Sequence, residues 1–335
     1  MKHFLALIRP RLMAGRYTIG RNRYTARRQR LFDLCAVFLF LLLLPYACSL
    51  LFGRDEGLRE TVELAEEQPG LWVVCREPEG EKKIPMETYI QGALAASIPA
   101  DCSYEALKAQ AVILRTLCIH AYENRPDSAD RFIRASEVGQ RYAGAGERQR
   151  LWGSTFEERE ALFASAVSDT AGMYLTWQER TMEPAYFWLS AGRTRDGQEV
   201  LGREGEGMVS VDCPGDSQAE DFEQTLTVEE QEFWERLGME PGGKIILTRD
   251  SAGYVLQVTI GGEDLSGEKF RTLFGLPSSC FFIEGADGQV RITTRGVGHG
   301  LGFCQHEADR LAAEGAGWEE LLQTFFKDAQ IRKTE

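Results

Sequence analysis

Met86 to Cys118 read METYIQGALAASIPADCSYEALKAQAVILRTLC, and this stretch decides how the rest of the chain is read. Pro85 and Glu87 open a helical pattern in which Tyr89, Ile90, Ala93 and Leu94 recur at the spacing of one helix face. Pro99 ends or kinks it, because the residue before a proline is pushed out of the helical region. Asp101 or Ser103 then caps a second helix, expected from Tyr104 to about Tyr122. Its small and straight-chain residues, from Ala106 through Leu117, suit close packing. Gln110, Lys108, Arg115 and Thr116 sit among them, and polar groups in apolar company must find hydrogen-bond partners.

Upstream, Leu71 to Cys75 (LWVVC) is a strand candidate bounded by the turn-rich EPEGEKK. Downstream, residues 124 to 155 are polar and weakly patterned, and read as a loop region. Glu157 to Ser168 reads as a helix, and Gly172 to Trp177 and Met182 to Ser190 as two strands around QERT. Ser190 to Val200 is loop, and Cys213-Pro214-Gly215-Asp216 is a turn. Thr227 to Leu237 is helical. Lys244 to Thr248 and Tyr254 to Ile260 pair as a hairpin. Ser266 to Phe274 is a helix stopped by Gly275, and Phe281 to Glu284 and Val290 to Thr294 form a second hairpin. A glycine-rich turn, Gly298 to Gly302, precedes two closing helices, Glu307 to Glu314 and Trp318 to Lys327. Strands and helices mix without βαβ alternation. The expected fold is α+β, with helices and antiparallel hairpins around a cleft.

Charge divides the chain. Residues 1 to 30 carry nine Lys or Arg and no acid, whereas the other 305 hold 29 basic and all 51 acidic residues, a net of −22. Between these parts lies LCAVFLFLLLLPYACSLLF, the nineteen uncharged residues from Leu34 to Phe52. As a helix this run would be roughly 28 Å long, close to the hydrocarbon thickness of a bilayer. The cationic flank then stays cytoplasmic. The expected organisation is a basic cytoplasmic segment (1–30), a single transmembrane helix (31–52), a linker (53–70) and an extracytoplasmic domain (71–335). A cleaved signal peptide competes with this reading. Against it stand the length of the run and the lack of a clean A-x-A site. The acidic outer part argues against a nucleic-acid partner, which calls for basic stripes. It suits a neutral polymer held by hydrogen bonds and stacking.

Six cysteines lie beyond the apolar run: Cys75, Cys102, Cys118, Cys213, Cys280 and Cys304. There is no C-x-x-C pair and no Cys–His spacing typical of structural zinc. No metal and no cofactor are expected on these grounds. Buried free thiols are slightly favoured over disulfides, which an exported location would permit.

Arg295 to Asp309 read RGVGHGLGFCQHEAD. With Y-I-x-G-x-x-A, I-P-A and E-A-L-K-A-Q-A-V-x-x-R-T in the opening stretch, A-V-S-D-T-A-G-M-Y-L-T-W after it, and S-A-G-R-T downstream of Tyr186, this block resembles the SpoIID/LytB family. That family comprises the stage II sporulation protein D and the amidase enhancers. The resemblance runs from about Ile84 to Ile331. It implies a membrane-anchored protein acting on peptidoglycan during sporulation, with glycan strands as ligand and other cell-wall hydrolases or sporulation membrane proteins as partners. Lytic members resemble glycan cutters in which one glutamate protonates the bridging oxygen and then takes the proton of the muramic 6-hydroxyl. Their motif reads A-S-E-M-P-A. Here it reads A-A-S-I-P-A, and Ser97 stands where the acid belongs. A hydroxyl is too weak an acid and too weak a base near neutral pH to replace it.

Two readings follow. In one, the chain keeps the family's peptidoglycan-binding cleft and does not cut. In the other, a relocated acid serves: Asp101, Glu105 or Asp196. Against Glu105 stands an ordinary role, since an acid in a helix's first turn is favourable by about 0.3–1 kcal/mol without any catalytic duty. Tyr186, Ser190, Arg193, His299 and Gln305 are the expected substrate-binding residues, with His299 exposed between two glycines. Some clostridial members resemble zinc proteins, with one His and two Cys shortly before a Q-x-Y. In this chain Gln140-Arg141-Tyr142 follows FIRASEVG, which has neither residue type.

Overall fold

The structure, a computed structural model, describes residues 70–77, 80–125, 131–205 and 207–334. The expected cytoplasmic segment, transmembrane helix and most of the linker lie outside the described residues. Among the described residues no helix is long and apolar enough to cross a membrane.

Strands β1 (Trp72–Glu77) and β2 (Gly80–Pro85) form an antiparallel hairpin in which Val73 faces Ile84. Pro85, as N-cap, leads directly into helix α1 (Met86–Ser97). Helix α2 (Tyr104–Glu123) is the centre of the larger core, and every residue from Ala109 to Cys118 is buried. A helix apolar on all sides has to be enclosed, and any polar residue on it needs an internal partner. Arg115, fully buried, gives Nε and Nη2 to the Glu87 carboxylate at 2.8 and 2.7 Å, and also reaches the carbonyls of Val167 and Met173. Thr116 Oγ1 accepts the Leu175 N–H at 2.9 Å, which fixes the chain at Leu175 against the helix.

Residues 124–155, expected as loop, contain strand β3 (Phe132–Arg134) and helices α3 (Ala135–Val138) and α4 (Ala145–Trp152). β3 exists because it pairs in parallel with β1, a partner about sixty positions away that no local pattern announces. Helix α5 (Phe156–Asp169) packs on α1 and α2. Strand β4 (Met173–Trp177) turns at Gln178 and Glu179, both at positive φ (48° and 64°), into β5 (Arg180–Thr181). Two left-handed residues in a row match the twist of a hairpin. β4's hairpin partner is therefore β5 rather than the expected strand Met182–Ser190. The one strand in that stretch, β6 (Tyr186–Phe187), pairs elsewhere, as does Leu189, which bridges Val297, and only the Met182 N–H reaches β4.

After helix α6 (Gly197–Leu201) the chain builds a second core. Strand β7 (Glu223–Glu229) takes up Thr227 to Glu229, which the helix expected from Thr227 would have claimed, and helix α7 (Glu230–Leu237) starts after it. Strands β8 (Ile245–Arg249), β9 (Val255–Ile260) and β10 (Glu263–Ser266) form one antiparallel sheet. Helix α8 (Gly267–Phe274) is capped by Ser266 Oγ and ends at left-handed Gly275. Strands β11 (Phe281–Ala286) and β12 (Gln289–Arg295) join β7 in another sheet. Phe233, Phe270, Phe274 and Phe281 stack between these sheets, with ring centroids 4.5 to 5.1 Å apart along the row.

The chain then returns to the first core. Strand β13 (Phe303–Cys304) lies parallel to β6, opposing Phe303 to Tyr186, and runs into helix α9 (Gln305–Ala313). Helix α10 (Trp318–Phe325) precedes β14 (Gln330–Lys333), which closes on β4. The architecture is α+β. Its pairing is not confined to antiparallel hairpins, since β1–β3 and β6–β13 are parallel.

Candidate functional site

Ser97 is the last residue of α1, and its Oγ donates back to the Leu94 carbonyl at 3.2 Å. The β6–β13 pairing brings two distant residues to it. The Tyr186 side chain hydrogen-bonds the Ser97 side chain, and its hydroxyl donates to Gln140 Oε1. Burial pushes the Tyr186 phenol above its ordinary pKa, and the bond to Ser97 works against that rise. From the first turn of α9, Gln305 Nε2 donates to the Ser97 carbonyl at 2.8 Å and to Gln110 Oε1 at 3.1 Å. Gln110 is fully buried and its Nε2 has no hydrogen-bond partner. Tyr89 also reaches this cluster, bonding the Gln140 carbonyl and stacking on Tyr142 at 5.5 Å. Gly92 explains the glycine of Y-I-x-G: a Cβ there would lie 2.3 Å from the Tyr142 ring.

His299 occupies the glycine turn on the other side of Tyr186. Gly298 (φ 121°) and Gly300 (φ 80°) bring the backbone against Phe187 and Tyr254, where Cβ atoms would lie 2.6 and 2.4 Å from those side chains. The ring is partly buried rather than exposed. Its Nδ1 accepts the Leu301 N–H at 3.1 Å, so the proton of the neutral imidazole sits on Nε2. The ring also hydrogen-bonds the Tyr186 backbone and lies 5.7 Å from the Phe187 ring. Burial lowers its pKa to about 4, against the partial opposition of the Glu268 carboxylate. Arg195 Nη1 donates to the His299 carbonyl at 3.1 Å, while its Nε meets Asp250 Oδ2 at 2.5 Å and its guanidinium covers the Tyr254 ring at 5.2 Å.

Contacts thus tie Ser97, Tyr186, Gln305 and His299 into one cluster. The other sequence-derived residues make their contacts elsewhere. Glu105 Oε2 accepts the Trp318 N–H at the start of α10, and its Oε1 pairs with Lys108. Asp196 caps α6 by accepting the Glu199 N–H. Asp101 is exposed in the turn between α1 and α2. Ser103 is the N-cap of α2, yet its hydroxyl goes to the Asp309 carbonyl rather than to the helix. Ser190 is fully buried and holds its loop, its Oγ accepting the Gly192 N–H. Arg193 is exposed and pairs with Asp212 at 3.1 Å.

Beside Ser97 an open cavity of about 380 Å³ starts at Ile98 and Pro99 and is walled by Trp152 and Arg159. A second of about 640 Å³ lies along the β4–β5 hairpin, at His120, Trp177 and Arg180, and includes none of the residues singled out from sequence. Sequence reasoning did not pick Gln110, Gln140, Arg195, Asp250 and Glu268 as members of the site. Gln140 and Arg195 carried a weak signal, standing in Q-x-Y and S-A-G-R-T-R. Asp250 and Glu268 carried none, since they reach the His299 turn only through the second core.

The sequence that builds this domain has relatives. Residues 79–177 match the family described as Stage II sporulation protein, SpoIID. Over these residues the chain is similar to that family. It is 28% identical over 261 residues to "Stage II sporulation protein D" of Bacillus subtilis (strain 168), covering 76% of each chain. The protein of that name from Bacillus amyloliquefaciens is 27% identical, with the same coverage. An uncharacterized protein of Brachyspira hyodysenteriae is 24% identical over 256 residues, 73% of this chain and 66% of its own.

Proposed function

We propose that this protein is a membrane-anchored, peptidoglycan-binding member of the sporulation-type family that holds glycan strands without cutting them by the usual acid mechanism. The observation that carries the reading is the state of Ser97. Its hydroxyl faces the Tyr186 phenol and its own helix carbonyl, and its main chain is clipped by Gln305. A cutting site needs a proton donor there whose conjugate base then accepts a proton. Neither a serine nor a phenol with a raised pKa supplies that near neutrality. The acids weighed as replacements are committed to backbone N–H groups in two of three cases, Glu105 and Asp196, and Asp101 stands exposed.

The surroundings still suit a sugar polymer. Hydroxyls and amides of Tyr186, Gln140 and Gln305 are groups that bond acetamido and hydroxyl functions, and Trp152 beside Ile98 offers an apolar face for a ring. The basic N-terminal segment and the uncharged run Leu34 to Phe52 support anchoring, with the acidic domain outside the cell. The test is to incubate the protein with purified glycan strands and read the products by mass spectrometry. Retention of strands with no anhydro-muramic ends is the expected result. Robust release of such ends, abolished by changing Asp101, Glu105 or Asp196, would overturn the reading in favour of a relocated acid.

A further inference from the structure

The turn Cys213-Pro214-Gly215-Asp216 and the end of β13 meet at a point the glycan-binding reading does not use. The Asp216 N–H closes the turn on the Cys213 carbonyl at 3.2 Å. Cys304 comes from eighty-eight positions away, with its Sγ 3.2 Å from Asp216 Oδ2. The two sulfurs and a carboxylate oxygen all lie within 4.8 Å of one another, and all three residues are fully buried. His306, on the first turn of α9, sets Nδ1 2.7 Å from Asp216 Oδ1, its ring held edge-on to Trp188.

We propose that Cys213, Cys304 and Asp216 form a structural site for a soft divalent cation of the zinc class, with His306 orienting the Asp216 carboxylate from behind. Tetrahedral zinc with ordinary bond lengths sets its sulfur and oxygen donors about 3.6–3.8 Å apart. The three donors reach that arrangement by shifts of less than about 1 Å. Paired thiolates select zinc over magnesium or calcium, which take oxygen ligands.

Charge also fits. Asp216 is wholly enclosed, and a lone buried carboxylate is costly. Its hydrogen bonds come from the Ser190 N–H, the Cys304 thiol and His306, whereas the Arg310 guanidinium is bonded to Glu307 and Glu314. When the cation binds, each thiol gives up its proton and each sulfur donates an electron pair to the metal. Two protons leave for one doubly charged ion, so the net charge of the enclosed group does not change. The Glu307 N–H already points at Cys304 Sγ from the start of α9, where it would stabilise a thiolate.

The consequence for the protein is positional. Asp216 holds the Ser190 N–H, and Cys304 immediately precedes Gln305, which clips Ser97. The cation would fasten the S-A-G-R-T loop to the strand carrying Gln305. Neither segment resembles a zinc motif in sequence, because two ligands sit in one turn and the third just before a helix far along the chain.

The test uses the full chain purified in mild detergent without chelator. Elemental analysis of the wild type should give one zinc per chain, and stoichiometric cobalt chloride should produce thiolate-to-cobalt charge-transfer bands. Cys213→Ser and Cys304→Ser should lose both, while Cys118→Ala, a buried thiol elsewhere, should keep them. The cation's removal by chelator should lower the melting temperature. A wild-type chain without metal that gives no cobalt bands would overturn the proposal. So would a mass lower by two hydrogens with a Cys213–Cys304 cross-linked peptide, since a disulfide would then be the true arrangement.

Discussion

The two sides of Tyr186 are built from different chemistry. Towards Ser97 the groups are neutral: the amides of Gln110, Gln140 and Gln305 and the hydroxyls of Tyr186 and Ser97. Towards His299 they are charged: Arg195 with Asp250, and Glu268 within 4.0 Å of the same guanidinium. Each neutral bond is worth about 1 kcal/mol net and can be exchanged with a ligand's own donors and acceptors. The Arg195–Asp250 pair is enclosed and satisfies itself, so it has little to offer a ligand and much to lose if broken. On the proposed reading, the stability of the site would rest on the His299 side and recognition on the Ser97 side. It also explains how a serine at 97 is accommodated without collapse of the surroundings. An acid at 97 would have stood in the neutral half, where a serine leaves every neighbour paired except Gln110 Nε2.

The comparison breaks most readily on the charged side. Asp250→Ala leaves Arg195, only 4% exposed, without its carboxylate. It should cost about 3–5 kcal/mol in urea unfolding. An unchanged midpoint would mean that the charged side is not what holds the turn.

Acid should weaken the same side. His299 has a folded pKa of about 4 against an ordinary 6.5, so the unfolded chain takes up this proton before the folded one does. No contribution exists above 6.5. As pH falls from 6.5 towards 4, stability should drop by up to about 1.4 kcal/mol per pH unit, an upper limit because solvent reaches part of the ring. Urea midpoints of the wild type and His299→Gln between pH 7 and 4.5 measure it. Equal slopes would assign the acid sensitivity to other groups.

On the neutral side, Gln305→Ala should cost only about 1–3 kcal/mol, from the lost amide and the two buried acceptors it leaves. Its larger consequence should be weaker retention on glycan strands, read by co-sedimentation. Retention equal to wild type, with stability lowered, would move recognition away from this side.

The smallest effect sharpens the comparison. Ser97→Glu should raise release of anhydro-muropeptides from none to a trace, within about 10²-fold of background, because a general acid needs neighbours that tune it as well as a place to stand. Gln110 Nε2 is one available donor to such a carboxylate. Complete absence of products, with folding intact, would show that more than the acid has been lost.

Legibility followed locality. α1 and α2 were readable to within a residue or two because their periodic apolar faces, Pro85 and Pro99 are all local signals. The hairpins β8–β9 and β11–β12 were readable for the same reason. The short elements between 124 and 155 were not, since β3 is a strand only by pairing with β1. Nor was the true partner of Tyr186–Phe187, which is more than a hundred positions away.

The sequence by itself determined the charge division, the two opening helices, the α+β composition and the serine at position 97. These are properties of single residues or of windows a few turns long. Only the tertiary structure decided that Glu105 and Asp196 serve backbone N–H groups, that Tyr186 and Gln305 converge on Ser97, and that Cys213 and Asp216 meet Cys304. The physical reason is chain closure. Contacts across fifty to two hundred positions depend on how sheets pair and cores pack, and a side chain's duty is set by whichever group that packing brings within reach.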